Sequence, residues 1–526
     1  MTRRALSVGL VCLSLAMAWA QAPPLHHKIA TRNKDVRQVF DQGLFELYAF
    51  DFDAARQTFG RATRMDPRCA MCFWGLAMAN GPNYNDPKPD AAHLKAGLDA
   101  AQKSVSLARS GPEAERGLTT ALAKRFSAEE DADPVKLANA YRNAMRAVQQ
   151  RFPKDDDIST LYAESILDIR PWKLWGKDGS PAPGTEEAVA VLEEVLKHNP
   201  KHIGANHIFI HAVEASPHPE VGLPSAERLK TLAPTASHLV HMPSHIYMRT
   251  GDLISAAQSN EAAVAIDRER HAQGMYAAHN LHFLTVVATM AGRSEEALRS
   301  ASELDAMLRP MVAQTPAQMP EADLLLGTRA LVLVEFRRWT QILAIPVDKT
   351  PGPASEAILH FARGVALAET GKPDDAVDER YAIARSLKAV PPEEGSGPSE
   401  TDLLFAVALP FLDAEIAMSQ HDPPAVRAAF RKAESAEDAL PYAEPPAWFV
   451  PVREHFGSYL LQRNELPQAE VVFKRDLIQN RGSGRALYGL METLKREGKL
   501  EEGQKVEAEY ITAWSTADVK LTVDGL

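Results

Sequence analysis

Along most of this chain, apolar residues return at i, i+3, i+4 and i+7, the period of one face of an α-helix. Alanine, leucine and glutamate dominate, and the alternation expected of half-buried strands is poor. The pattern predicts an all-α protein. Two Pro/Gly/Ser-rich stretches, Pro346 to Ser355 and Pro391 to Ser399, read as loops. They place a modest break in the helical array near residue 350.

The helical pattern also repeats. In VRQVFDQGLFELYAFDFDAARQTFGRATRMDP, counted from Val36, Gly43 is position 8, Ala55 position 20, Phe59 position 24, Ala62 position 27 and Pro67 position 32. Small residues at such positions let two helices of a unit pack closely. These are the signature positions of the tetratricopeptide repeat, a helix pair of about 34 residues, and the stretch resembles that family. The phase recurs at Ala163, at Ala188 with Pro200, at Gly364 with Ala376, and at Gly457 with Ala469 and Phe473. The resemblance implies a right-handed solenoid of helix pairs, whose first helices line a concave groove. The expected organisation is a leader over residues 1–20, a first set of repeats over 21–345 and a second over 346–526.

The leader follows from the first residues. Arg3 and Arg4 precede the apolar run Ala5 to Ala18, and Ala18-Trp19-Ala20 offers small residues before a cut at Gln21. This is the pattern of a secretory signal peptide, and it predicts a periplasmic or secreted mature protein. The run is too short to span a bilayer, and no other segment is long and apolar enough, so the mature chain is expected to have no membrane span. A net charge of −11 gives no reason to expect nucleic acid as a partner.

Charge and composition are otherwise ordinary, but the histidines are not. Eleven of seventeen lie between His198 and His282. In the repeat frame, His207, His211 and Glu214 fall at groove-facing positions 5, 9 and 12 of one first helix. Their spacing spans about 60° of helix surface at ~100° per residue. His238, His241 and His245, in SHLVHMPSHIY, share one face of the next first helix, provided that Pro243 does not displace the helix start. His279 and His282 fall at positions 2 and 5 of the third. Helices packed ~8–10 Å apart can bring such rings to a common ion. We therefore take these seven histidines and Glu214 as candidate metal ligands. Glu164, on the preceding first helix with Thr160 and Asp168, is a further candidate. Glu214 and Glu164 could be ligands, orienting groups or a general base. Tyr247 and Tyr276 are candidates for substrate contact.

Imidazole donors point to copper, iron or zinc rather than to calcium or magnesium, and eight donors suit two ions better than one. Non-covalent haem between two histidines is the remaining cofactor expectation. The competing reading has no metal: a hydrogen-bonded polar groove that takes a peptide or a small molecule, the common use of this fold. Metal storage or delivery is a third.

In CAMCFWGLAMANGPNYN, Cys69 and Cys72 stand at a helix start. A disulfide, thiolate ligation and free thiols all fit that spacing, and Phe73 excludes the covalent haem motif. Together, CAMCFWGLA, GPNYN, HLVHMPSHIYMRTGD and HNLHF resemble an uncharacterised group of exported bacterial tetratricopeptide proteins. That resemblance carries fold and export only. No phosphate loop, dinucleotide fingerprint or serine-nucleophile motif is present.

Overall fold

A computed structural model describes residues 26–129, 131–315, 319–391 and 397–526. The leader expected over residues 1–20 lies outside the described residues. Among them there are helices and no strands, the one β-like contact being an isolated bridge from Trp175 to Pro181. Among the described residues, no helix is long and apolar enough to cross a membrane.

The helices that build the site come from the first half of the chain. They are α1 (Lys34–Tyr48), α2 (Phe52–Met65), α3 (Ala70–Asn80), α4 (Ala91–Ala108), α5 (Glu113–Leu122), α6 (Pro134–Arg151), α7 (Asp156–Leu167) and α8 (Thr185–His198). Then follow α9 (Ile203–Val213), α10 (Leu223–Leu232), α11 (Ser237–His241), α12 (Pro243–Thr250), α13 (Leu253–Glu269), α14 (Met275–Met290) and α15 (Ser294–Val312). Consecutive helices pack as pairs, α1 on α2, α3 on α4, α7 on α8, α9 on α10, α12 on α13 and α14 on α15. Pairing continues beyond residue 350, with Pro353–Glu369 on Pro373–Leu387 and Glu400–Ser419 on Pro423–Ala439.

The spacing of small and large residues explains the pairing. Phe59 on α2 wedges between α1 and α3, where a Cβ on Gly43 would sit 2.8 Å from its ring and one on Gly75 2.2 Å. Phe473 fills the same role near the C-terminus, against Gly457 and Gly489. Only glycine admits a phenyl ring this close to a helix backbone. Carboxylate and amide caps start many of the helices: Asn33 caps α1, Asp51 α2, Asp155 α7 and Asp252 α13.

The solenoid coils tightly enough that its first repeat returns to α9. The ring of Tyr48, at the end of α1, lies where a Cβ on Gly204 of α9 would be 2.4 Å away. Residues on either side of position 345 also meet. His282 packs on Phe449 with ring centroids 6.2 Å apart, Lys177 donates to the Asp438 carbonyl at 2.8 Å, and Ser294 N donates to Asp518 at 2.8 Å.

Candidate metal centre

Three first-position helices, α9, α11–α12 and α14, carry the histidines. Pro243 does interrupt the second of them, but it does not displace the face. Met242, between α11 and α12, keeps right-handed helical angles (φ −50°, ψ −37°). A proline at the first turn needs no N–H, so the helix resumes at once. His241 and His245 therefore stay one turn apart on one face.

Their rings, with four others, form two trios. In the first, His207 Nε2 lies 3.1 Å from His211 Nε2 and 3.0 Å from His238 Nε2. In the second, His241 Nε2 lies 2.8 Å from His245 Nε2 and 3.1 Å from His279 Nε2. Each trio thus draws rings from two successive repeats. The trios adjoin: His211 and His245 have ring centroids 6.0 Å apart, as do His238 and His241. Within a trio the same measure reaches 6.2 Å. The nearest rings of the two trios are thus no farther apart than the widest pair within one.

The outer nitrogens decide what the inner ones can be. His207 Nδ1 is 2.6 Å from the Tyr48 carbonyl, and His241 Nδ1 is 2.7 Å from Asn260 Oδ1. The Asn260 amide is oriented by its own Nδ2 donating to the Ala256 carbonyl at 2.9 Å. His211 Nδ1 is 3.2 Å from Glu214 Oε1, and His245 Nδ1 is 2.8 Å from Glu214 Oε2. Three of these contacts are hydrogen bonds, whereas His245 Nδ1 and Glu214 Oε2 meet as an ion pair out of line for one. The three acceptors keep the proton of neutral His207, His211 and His241 on Nδ1 and turn a bare Nε2 lone pair inward. Lone pairs then face one another at 3.1 Å between His207 and His211. Glu214 favours the protonated form of His245, whose second proton lies toward His241 Nε2 at 2.8 Å.

Electrostatics keep most of the rings neutral. Burial holds His207, His238 and His241 well below the ordinary imidazole range, and neighbouring histidines lower them further. Burial takes His279 down to about 3, again helped by its neighbours. Burial acts on His245 in the same direction, but Glu214 outweighs it and that ring lies above its ordinary value. Glu214, only 2% exposed, is lowered to about 2: burial opposes its charge, and His211 and His245 beside it prevail.

Aromatic rings seal both trios. Phe50, in the α1–α2 turn, has a left-handed backbone (φ 53°), a costly conformation for a large side chain. It lies 4.4 Å from His207, 5.8 Å from His211 and 5.4 Å from His238, measured between centroids. Phe283 covers the second trio, 5.1 Å from His241 and 5.2 Å from His245. Tyr84 adds a ring 4.8 Å from His211. The half-buried members are His238 and His279, so solvent approaches from their side. Tyr276 stands there, 5.2 Å from His238, its hydroxyl accepting from Asn85 Nδ2 at 3.1 Å.

The other sequence candidates lie elsewhere. His282 is in neither trio: it is 8% exposed, packs on Phe449, and is lowered by burial to about 4. Glu164 sits away from the trios beside Arg125 and Asp168, whose side chains pair at 2.5 Å, and burial pushes its carboxyl up to about 8. Tyr247 is turned to Glu227. Cys69 and Cys72 are joined in a disulfide at the start of α3, with Cα atoms 5.3 Å apart. Sequence reasoning missed Phe50, Phe283 and Asn260 as parts of the site, while placing Tyr84 only in a polar loop at the groove's edge. It also missed a half-buried grouping of His27 with Asp155 and Asp157.

No protein-family model matches the chain, and no curated protein matches it. Solved structures do. The human IFIT1 dimer with m7Gppp-AAAA is 12% identical over 92% of this chain and 96% of that one, with a TM-score of 0.37. Yeast Tom70 is 11% identical over 93% of each chain, with a TM-score of 0.30. The P58(IPK) TPR domain is 11% identical over 88% of this chain and 99% of that one, with a TM-score of 0.21. This chain is similar to them as one all-helical repeat protein is to another. Its histidine trios have to be read on their own chemistry.

Proposed function

We propose that this chain is an exported metalloprotein whose two histidine trios hold a pair of copper ions, and that the pair is a redox centre for a small molecule. The observation that carries the reading is the convergence of three Nε2 atoms in each trio, with the Nδ1 atoms of His207, His211 and His241 spent on acceptors. A shared cation is what relieves facing lone pairs. Dinuclear iron and manganese sites in helical proteins use carboxylates in the coordination sphere. Here all six inward atoms are imidazole nitrogens, and the nearby carboxylate, Glu214, touches only outer nitrogens. Nitrogen-only sites favour copper over the earlier divalent metals, with zinc next. Rings whose inner nitrogens already lie 2.8–3.1 Å apart leave no slot for a haem plane.

His207, His211 and His238 would hold one ion and His241, His245 and His279 the other, three protein ligands apiece. A bound pair would supply one-electron redox chemistry at each ion. Phe50, Phe283 and Tyr84 cover the trios, and the half-buried His238 and His279 beside Tyr276 mark the side open to a substrate. A buried disulfide suits an oxidising compartment outside the cytoplasm. The test is elemental analysis of the purified mature protein with its absorption and electron paramagnetic resonance spectra. Two copper ions per chain support the proposal. Two zinc ions with a silent spectrum support the site but remove the redox role, and a metal-free protein after reconstitution removes both.

A further inference from the structure

Glu214 stands between the two trios. It follows α9 directly, and its helical angles (φ −55°, ψ −41°) aim the side chain along the histidine face. One oxygen reaches His211 of the first trio at 3.2 Å, the other His245 of the second at 2.8 Å. The Arg249 guanidinium donates to the Glu214 backbone carbonyl at 3.1 Å. Tyr84, Tyr442 and Glu444 face the same carboxylate and supply no positive charge. Its two oxygens thus answer one ring from each trio.

We propose that Glu214 is a positioning residue for both metal sites at once. It accepts the Nδ1–H of His211 and draws the Nδ1 edge of His245 toward its second oxygen by charge, so that two sites depend on one side chain. This rests on the dinuclear reading above. The supports of the remaining rings differ in kind, because each serves one trio only: the Tyr48 carbonyl holds His207 and Asn260 holds His241. A glutamine at 214 has one acceptor oxygen and one donor NH2. It can keep one ring as it is, but it offers the other a donor. That ring's Nδ1 then becomes the acceptor, its proton moves to Nε2, and its lone pair is withdrawn from the site.

The experiment is a copper(I) titration of the full mature chain against a chromogenic chelator. Wild type is expected to show two sites. Glu214→Ala should weaken both by tenfold to a hundredfold, the usual effect of losing a partner of a metal-bound imidazole. Glu214→Gln should leave one site within about threefold of wild type and weaken the other about tenfold or more. Asn260→Ala should weaken one site only. Histidine 15N NMR of the metal-free chains gives a second readout: His211 and His245 both carry Nδ1–H in wild type, and one of them loses it in Glu214→Gln. Far-UV circular dichroism checks that each variant folds. If Glu214→Ala leaves either site at wild-type affinity, or Glu214→Gln leaves both tautomers unchanged, the shared role is wrong while the metal pair stands. A wild-type chain that binds no metal removes the dinuclear reading, and the NMR readout still decides what Glu214 does to the rings.

Discussion

His282 was a sequence candidate for a ligand, and the structure makes it a good place to test the account. We take the substitution His282→Phe, which matches the apolar contact with Phe449. Burial lowers this imidazole from its ordinary 6.5 to about 4. The unfolded chain therefore binds a proton in that window which the folded chain refuses. The stability that the neutral ring allows is fully present above pH ~6.5 and is lost as pH falls toward ~4. At about 1.4 kcal/mol per pH unit, a fall from 6.5 to about 4 is worth about 3 kcal/mol. Urea unfolding of metal-free wild type and His282→Phe should thus show the wild type losing stability relative to the variant by about 1.4 kcal/mol per unit as pH falls from 6 to 4.5. Comparing the two chains cancels the opposite contribution of raised carboxyls such as Glu164 and Glu444, common to both. Metal content should not change. Parallel curves would refute the burial argument, and loss of a metal ion would make His282 a ligand after all.

Two further outcomes follow from the same geometry. His241→Ala should take the metal count from two to one, because His241 Nε2 is the atom that both His245 and His279 approach. It should also destabilise the metal-free fold by about 2–4 kcal/mol, since Asn260 Oδ1 loses its donor inside a cavity; denaturant melts and elemental analysis check both. Replacing Cys69 and Cys72 with serine opens a four-residue loop, worth about 2 kcal/mol in a chain-entropy model. Thermal melts should show that loss with both metal ions retained.

The fold was largely legible because repeat packing is local. Gly43, Phe59 and Gly75 stand at fixed offsets, and a phenyl ring against two glycines leaves a helix pair little freedom. The histidines were legible as a set for the same reason, since equivalent positions of successive repeats face one groove. Their grouping was not. His238 joins His207 and His211 of the preceding repeat rather than His241 beside it, a choice made by ring rotation and the offset of neighbouring helices. His279 and His282 show the limit at closer range. They lie three residues apart on α14, yet one meets His241 and the other meets Phe449 from the far half of the chain. Glu214 could be suspected from spacing as a ligand, an orienting group or a base. Only the positions of the Nδ1 atoms separate those roles.

The most direct measurement is anomalous diffraction at the copper edge from crystals of the copper-loaded mature protein. The account predicts two peaks per chain, one about 2.0 Å from Nε2 of His207, His211 and His238 and the other the same distance from Nε2 of His241, His245 and His279. No peak among these rings, with the histidines placed as they are here, would contradict it.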